Sequence, residues 1–218
     1  MTKIKLCGIK CEEDIKVVNE VLPDYIGFVF AGKSKRYISF DKAKTLKNQL
    51  DDRIKAVGVF VNDDIENIAY LVKNKIIDIV QLHGNEDESY INTLKTKINV
   101  PIIYAYQIKS KADIKSINKN TDFILLDAGA GCGETFNEAL LEGFNNEYFL
   151  AGGLSIDNIK EKIKDFKEEK AVLFYKNGEV AVLEVNNSID LSNILKEYLK
   201  KDLEYFYIRG AITPKIIE

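Results

Sequence analysis

Three short apolar runs each lead into a side chain able to carry a proton. Cys7 closes Lys5-Leu6-Cys7, His83 follows Val80-Gln81-Leu82, and Asp127 follows Phe123-Ile124-Leu125-Leu126. A thiol, an imidazole and a carboxyl are the groups that proteins use for acid–base and nucleophilic chemistry. Each also has a structural reading. Free cysteine behaves as a small buried hydrophobe, and His83 beside Gly84 suits a tight turn. Asp127 is harder to explain by structure alone, because a carboxylate ending a strand buried on both faces is costly unless it is paired or used.

Two further stretches offer anchors rather than reacting groups. Gly32-Lys33-Ser34-Lys35-Arg36-Tyr37 puts a guanidinium on a loop, where its planar fork suits a carboxylate. The alternative is a solvated basic loop. Gly152-Gly153 stands between an apolar run and a segment of helical period, where free N–H groups can hold a phosphate or where two glycines simply close a turn. Gly129, Gly131 and Gly133 make a second glycine-rich loop after Asp127, open to close approach by a ligand.

The elements that must position these residues follow from periodicity. Runs rich in Val, Ile, Phe and Tyr at 4–9, 25–30, 56–61, 78–82, 102–107, 123–127 and 148–151 read as strands, with an eighth expected within 171–185. Segments of helical period at 12–22, 42–50, 65–75, 88–98, 112–118, 138–144, 156–166 and 192–201 alternate with them. Asp41 and Asp63 stand where helix caps are expected. Eight βα units in about 200 residues is the count that closes a parallel barrel, although an open doubly wound sheet uses many of the same units. In a barrel, the ends of the strands bearing Cys7, His83 and Asp127 share one mouth. The expected class is therefore α/β, a (β/α)8 TIM barrel over residues 1–201, followed by a C-terminal extension, 202–218, that carries Tyr205-Phe206-Tyr207. Asn177-Gly178 suits the positive φ angles of a type I′ turn and predicts a β-hairpin near strand 8, with 180–185 as the barrel strand.

Composition narrows the class further. The 218 residues are enough to bury a core, and 46% hydrophobic with 30% charged residues is ordinary for a folded soluble protein. With 31 Lys and Arg against 34 Asp and Glu, the net charge of −3 disfavours nucleic acid as a partner. Cys7, Cys11 and Cys132 form neither a CxxC pair nor a metal-ligand pattern with His83, the single histidine. They read as free thiols of a reducing compartment. No apolar stretch approaches a membrane span, so a cytoplasmic protein is expected.

Taken together and in order, these pieces resemble the phosphoribosylanthranilate isomerase family of tryptophan biosynthesis. The matching stretches are Lys5-Leu6-Cys7-Gly8, Gly27-Phe28-Val29-Phe30 with Lys33 to Tyr37, Val57 to Asn62, Val80-Gln81-Leu82-His83-Gly84, Leu125-Leu126-Asp127 with Gly133-Glu134-Thr135-Phe136, and Leu150 to Leu154. The resemblance implies a cofactor-free and metal-free Amadori rearrangement of N-(5-phosphoribosyl)anthranilate to 1-(2-carboxyphenylamino)-1-deoxy-D-ribulose 5-phosphate. It implies Asp127 as general acid and Cys7 as general base. Arg36 would hold the anthranilate carboxylate, Gly152 and Gly153 the phosphate, and His83 and Glu184 would complete the substrate contacts. Such a reaction needs a proton donor, a proton acceptor and a phosphate anchor. Burial would keep Asp127 protonated, and Lys5, two residues from Cys7 on the same strand face, would favour its thiolate. The partner implied is a small phosphoribosyl substrate, acted on by a monomer or homodimer.

One stretch departs from the family. Its usual last strand, Val-Asp-Val-Ser-Ser-Gly, is absent. One alignment puts Leu183 to Asp190 there, with Glu184 as the acid, and another puts Leu173 to Gly178 there and loses the acid. A related phosphosugar isomerase with a changed substrate, or a catalytically weakened paralogue that serves as a binding partner, therefore stands beside the main reading.

Overall fold

A computed structural model describes residues 3, 5–117, 119–127, 138–141, 144, 146–151, 170–175, 180–184, 203–209 and 215–217. Seven strands follow one another: β1 (Lys5–Cys7), β2 (Tyr25–Val29), β3 (Lys55–Phe60), β4 (Ile79–Leu82), β5 (Ile102–Gln107), β6 (Phe123–Asp127) and β7 (Tyr148–Ala151). Each is parallel to the next. Between the first six run α1 (Glu12–Val21), α2 (Phe40–Lys47), α3 (Ile65–Lys73), α4 (Glu88–Lys97) and α5 (Lys111–Lys115). The segment expected as a helix at 138–144 holds a 3-10 turn, Glu138–Leu141, while 156–166 and 192–201 lie outside the described residues.

Helix starts are set by side chains that accept otherwise unpaired N–H groups. Ser39 caps α2 by accepting from Lys42 N, Asp64 caps α3 by accepting from Glu66 N, and Asp87 caps α4 by accepting from Tyr90 N. The caps expected at Asp41 and Asp63 are thus displaced. Asp41 lies in the first turn of α2, and Asp63 stands just before the cap of α3, accepting from Asp64 N and Asn67 Nδ2. At the N-terminal ends of the strands two carboxylates tie neighbours together. Asp78 accepts from Ala56 N, and Asp122 from Ile102 N, each at 2.8 Å.

The strands alternate with period two, and both faces are buried, as parallel sheets require. Even-numbered positions such as Ile26, Phe28, Phe60 and Leu82 pack with helix residues Ile15, Leu46, Ile68 and Leu71 in an outer core. Odd-numbered positions, Tyr25, Val57, Ile79, Ile103, Leu125 and Phe149, form a second core on the other face. In that inner core the Tyr25 ring lies edge-on to the Phe149 ring, centroids 5.6 Å apart. They stand on β2 and β7, which a flat sheet would hold roughly 24 Å apart, at about 4.8 Å per strand. The sheet therefore curls round until its two sides meet through their inward side chains.

The C-terminal part differs from expectation. β8 (Lys170–Tyr175) and β9 (Val180–Glu184) do pair as an antiparallel hairpin. Its register, Phe174↔Val180, leaves an odd number of residues between paired positions, unlike the two-residue turn that Asn177-Gly178 suggested. β9 is not the barrel strand. The hairpin takes β10 (Leu203–Arg209) as a third strand in a separate sheet of order β10-β8-β9. The eighth parallel strand is β11 (Lys215–Ile217), which pairs with β7 from within the segment expected as an extension. Local pattern could not choose between these segments, because both are short and rich in β-branched residues and only long-range pairing separates them.

Candidate active site

Strand parity brings Lys5 and Cys7 of β1, Gln81 of β4 and Asp127 of β6 to the inward face, with His83 two residues beyond Gln81. Room for the thiol comes from Gly27, its register partner on β2. A Cβ on Gly27 would stand 2.7 Å from Cys7 Sγ. The next residue, Gly8, has a φ of +100° that glycine adopts freely, and both Gly8 N and Ile9 N donate to Gly27 O. Turning the chain there leaves a bare backbone against which Arg36 lies. A Cβ on Gly8 would be 2.5 Å from Arg36 Cδ. The exposed Arg36 is thereby carried from the loop after β2 to the end of β1, next to Cys7.

Across the barrel, Asp127 is 7% exposed and His83 Nε2 lies 3.2 Å from its Oδ2. His83 reaches over β5, whose inward residue at that height is the small Ala105. The other ring nitrogen, Nδ1, lies 3.0 Å from Gln81 Nε2. Both nitrogens of His83 thus face protein partners. Gln81 is fully buried, and its Oε1 has no hydrogen-bond partner among the described residues.

The turn bearing His83 is held from outside the sheet. Buried Glu86 accepts from Asn62 N at 2.7 Å and from Gly84 N at 2.9 Å, clasping the loops after β3 and β4. Asn62 takes a φ of +49°, and a Cβ on Gly84 would meet Asn62 Oδ1 at 2.6 Å. His83 N donates to Phe60 O at 2.8 Å. Gly84 is thus glycine because the two loops touch.

Cys11 is a thiol of a different kind. Burial pushes it up to about 11, and it sits at the start of α1, where Asp14 Oδ2 accepts from Lys10 N and Cys11 N. A cavity of about 1160 Å³ opens at the opposite end of the sheet, among Tyr25, Lys55, Ile79, Pro101 and Phe123, and none of Cys7, Arg36, His83 and Asp127 lines it. In a parallel barrel the chemistry lies at the C-terminal strand ends, so this cavity is not the reacting site.

Of the residues singled out in the sequence, Cys7, Arg36, His83 and Asp127 come to the C-terminal rim. Gly152 and Gly153 lie outside the described residues. Glu184 ends β9, opposite Lys170 in the small antiparallel sheet, and so is not at the end of a barrel strand. Gln81 and Glu86 went unnoticed as candidates. An amide inside the apolar run Ile79-Val80-Gln81-Leu82 was the available signal for Gln81, whereas nothing local marks Glu86.

Residues 4–190 match the family model for N-(5'phosphoribosyl)anthranilate (PRA) isomerase. An N-(5'-phosphoribosyl)anthranilate isomerase from Endomicrobium trichonymphae is 51% identical over 169 residues, 75% of this chain and 83% of that protein. The phosphoribosyl anthranilate isomerase of Thermotoga maritima superposes with a TM-score of 0.67 at 33% identity, over 75% of this chain and 82% of its own. A phosphoribosyl anthranilate isomerase in complex with reduced 1-(o-carboxyphenylamino)-1-deoxyribulose 5-phosphate superposes at 0.65 and 32% identity, over 75% and 81%. With the curled parallel sheet and the residues at its rim, these likenesses establish that the chain has the (β/α)8 barrel fold and belongs to the N-(5'-phosphoribosyl)anthranilate isomerase family.

Proposed function

We propose that the chain carries out its family's reaction, the Amadori rearrangement of N-(5-phosphoribosyl)anthranilate in tryptophan biosynthesis, with Asp127 as general acid and Cys7 as general base. Asp127 protonates the ribose ring oxygen, the C1–O bond breaks, and the anthranilate nitrogen becomes a Schiff base. The Cys7 thiolate then removes the proton from C2, giving an enolamine that tautomerises to the ketone product. Protons are moved but none is consumed, so two positioned groups and a binding site suffice.

Arg36 pairs with the anthranilate carboxylate through its planar fork, and Gly152 and Gly153 hold the phosphate. The relative crystallised with reduced 1-(o-carboxyphenylamino)-1-deoxyribulose 5-phosphate supports a ligand bearing both groups. The observation that carries the reading is the gathering of Cys7, Arg36 and Asp127 at one rim, with the thiol seated in the space that Gly27 leaves. A dimeric relative from Thermotoga maritima supports a homodimer as one assembly, to be read by light scattering.

The test is turnover of N-(5-phosphoribosyl)anthranilate by wild type and by Cys7→Ala and Asp127→Asn, backed by rescue of a strain lacking only this step. Each variant is expected to lose about 10² to 10⁴ in kcat. Wild-type protein that does not isomerise this substrate, or variants that turn over as fast as wild type, would overturn the reading.

A further inference from the structure

Gln81 stands where the barrel has no packing need for an amide. It is fully buried on the inward face of β4, and one end of its amide, Oε1, is without a hydrogen-bond partner among the described residues. A buried unpaired acceptor is unfavourable, and a leucine of similar volume would avoid the penalty. The other end of the amide accounts for the arrangement. Gln81 Nε2 is 3.0 Å from His83 Nδ1. An amide nitrogen can only donate, so Nδ1 must supply the lone pair and the ring proton must sit on Nε2. That nitrogen is 3.2 Å from Asp127 Oδ2, within reach for its N–H to donate.

We propose that Gln81 is a positioning residue for Asp127: by donating to Nδ1 it holds His83 as the Nε2–H tautomer and directs that N–H at Oδ2. With Nδ1 occupied by an N–H, a second proton can join the ring only if that bond breaks and the amide turns over. Anchoring Oδ2 also fixes the plane of the carboxyl, so that Oδ1 is presented in one orientation. Lys5 and Cys7 of β1 face the same interior, while Glu86 is turned into its own clasp between loops. The inference rests on Asp127 acting as the acid.

His83 is the single histidine of the chain, so side-chain nitrogen NMR of tag-free protein labelled at histidine reads its tautomer without substrate. Wild type is expected to show the Nε2–H form. In Gln81→Glu the carboxylate accepts from Nδ1–H, so that nitrogen becomes protonated, and in Gln81→Leu both tautomers are populated. In turnover both variants are expected to lose about tenfold or more in kcat with KM little changed. A wild-type ring protonated at Nδ1, or an unchanged Nε2–H signal in both folded variants, overturns the proposal. An Asp127→Asn variant that keeps full turnover instead removes the acid role beneath it, and the spectrum tells the two failures apart.

Discussion

At the scale of single residues, the site depends on atoms that are absent as much as on those present. Gly27 is the clearest case. Its missing Cβ is the space that Cys7 Sγ fills, and a methyl there would also come within 3.1 Å of Cys7 Cα. Gly27→Ala is therefore expected to displace the thiol and lower kcat by about tenfold or more while the protein stays folded, read by steady-state kinetics beside a thermal melt. Unchanged turnover would show that the thiol's position does not matter. The two described cysteines should also differ in reactivity. Because burial holds the Cys11 thiol at about 11, only about one in a thousand is thiolate at pH 8. The sign follows directly, since a raised value keeps the neutral form and its alkylation rate climbs only as pH approaches that value. Brief iodoacetamide treatment followed by peptide mapping should mark Cys7 well before Cys11, and equal labelling would contradict the burial argument.

At the scale of elements, what counts is how one strand or loop holds the next. Glu86 gives its two carboxylate oxygens to backbone N–H groups of different loops. Glu86→Ala would leave both donors unpaired in a buried place, at a cost of about 2–3 kcal/mol, measurable as a lower urea midpoint with unchanged slope. Ala105 acts by being small. It stands on β5 between the strands that carry His83 and Asp127, so Ala105→Leu should fill the gap across which they meet. Overpacking of this kind costs about 1–3 kcal/mol. Its distinguishing effect is a loss of kcat with a changed histidine nitrogen spectrum, whereas a stability loss alone would show that the bulk was accommodated elsewhere.

At the scale of the whole molecule, the inward side chains hold the curl. Phe149 is 1% exposed and touches Tyr25 on one side and Phe123, 6.0 Å between centroids, on the other. Removing its ring opens the middle of the inner core, so Phe149→Ala is expected to cost about 3–5 kcal/mol. Chemical denaturation checks this, and a cost under about 1 kcal/mol would mean that the inner core collapses around the gap. β11 belongs to this scale too, because it contributes the eighth parallel strand from a segment beyond the small antiparallel sheet. No helix among the described residues is long and apolar enough to cross a membrane.

The sequence by itself determined seven of the parallel strands, the helices between the first six, and Cys7, Arg36, His83 and Asp127 as the residues to watch. These signals are local: a strand buried on both faces must be apolar, so a polar residue at its end stands out, and each βα unit carries its own period. The tertiary structure alone decided which C-terminal segment joins the barrel, since β9 and β11 differ in what they pair with and not in composition. It alone disclosed that His83 turns its ring to Gln81 and Asp127, that Gly27 makes room for a thiol on another strand, and that Glu86 ties two loops together. Each of these depends on a contact between different βα units, His83 with Asp127, Gly27 with Cys7 and Glu86 with Asn62, and a one-dimensional pattern does not contain the pairing that closes those distances.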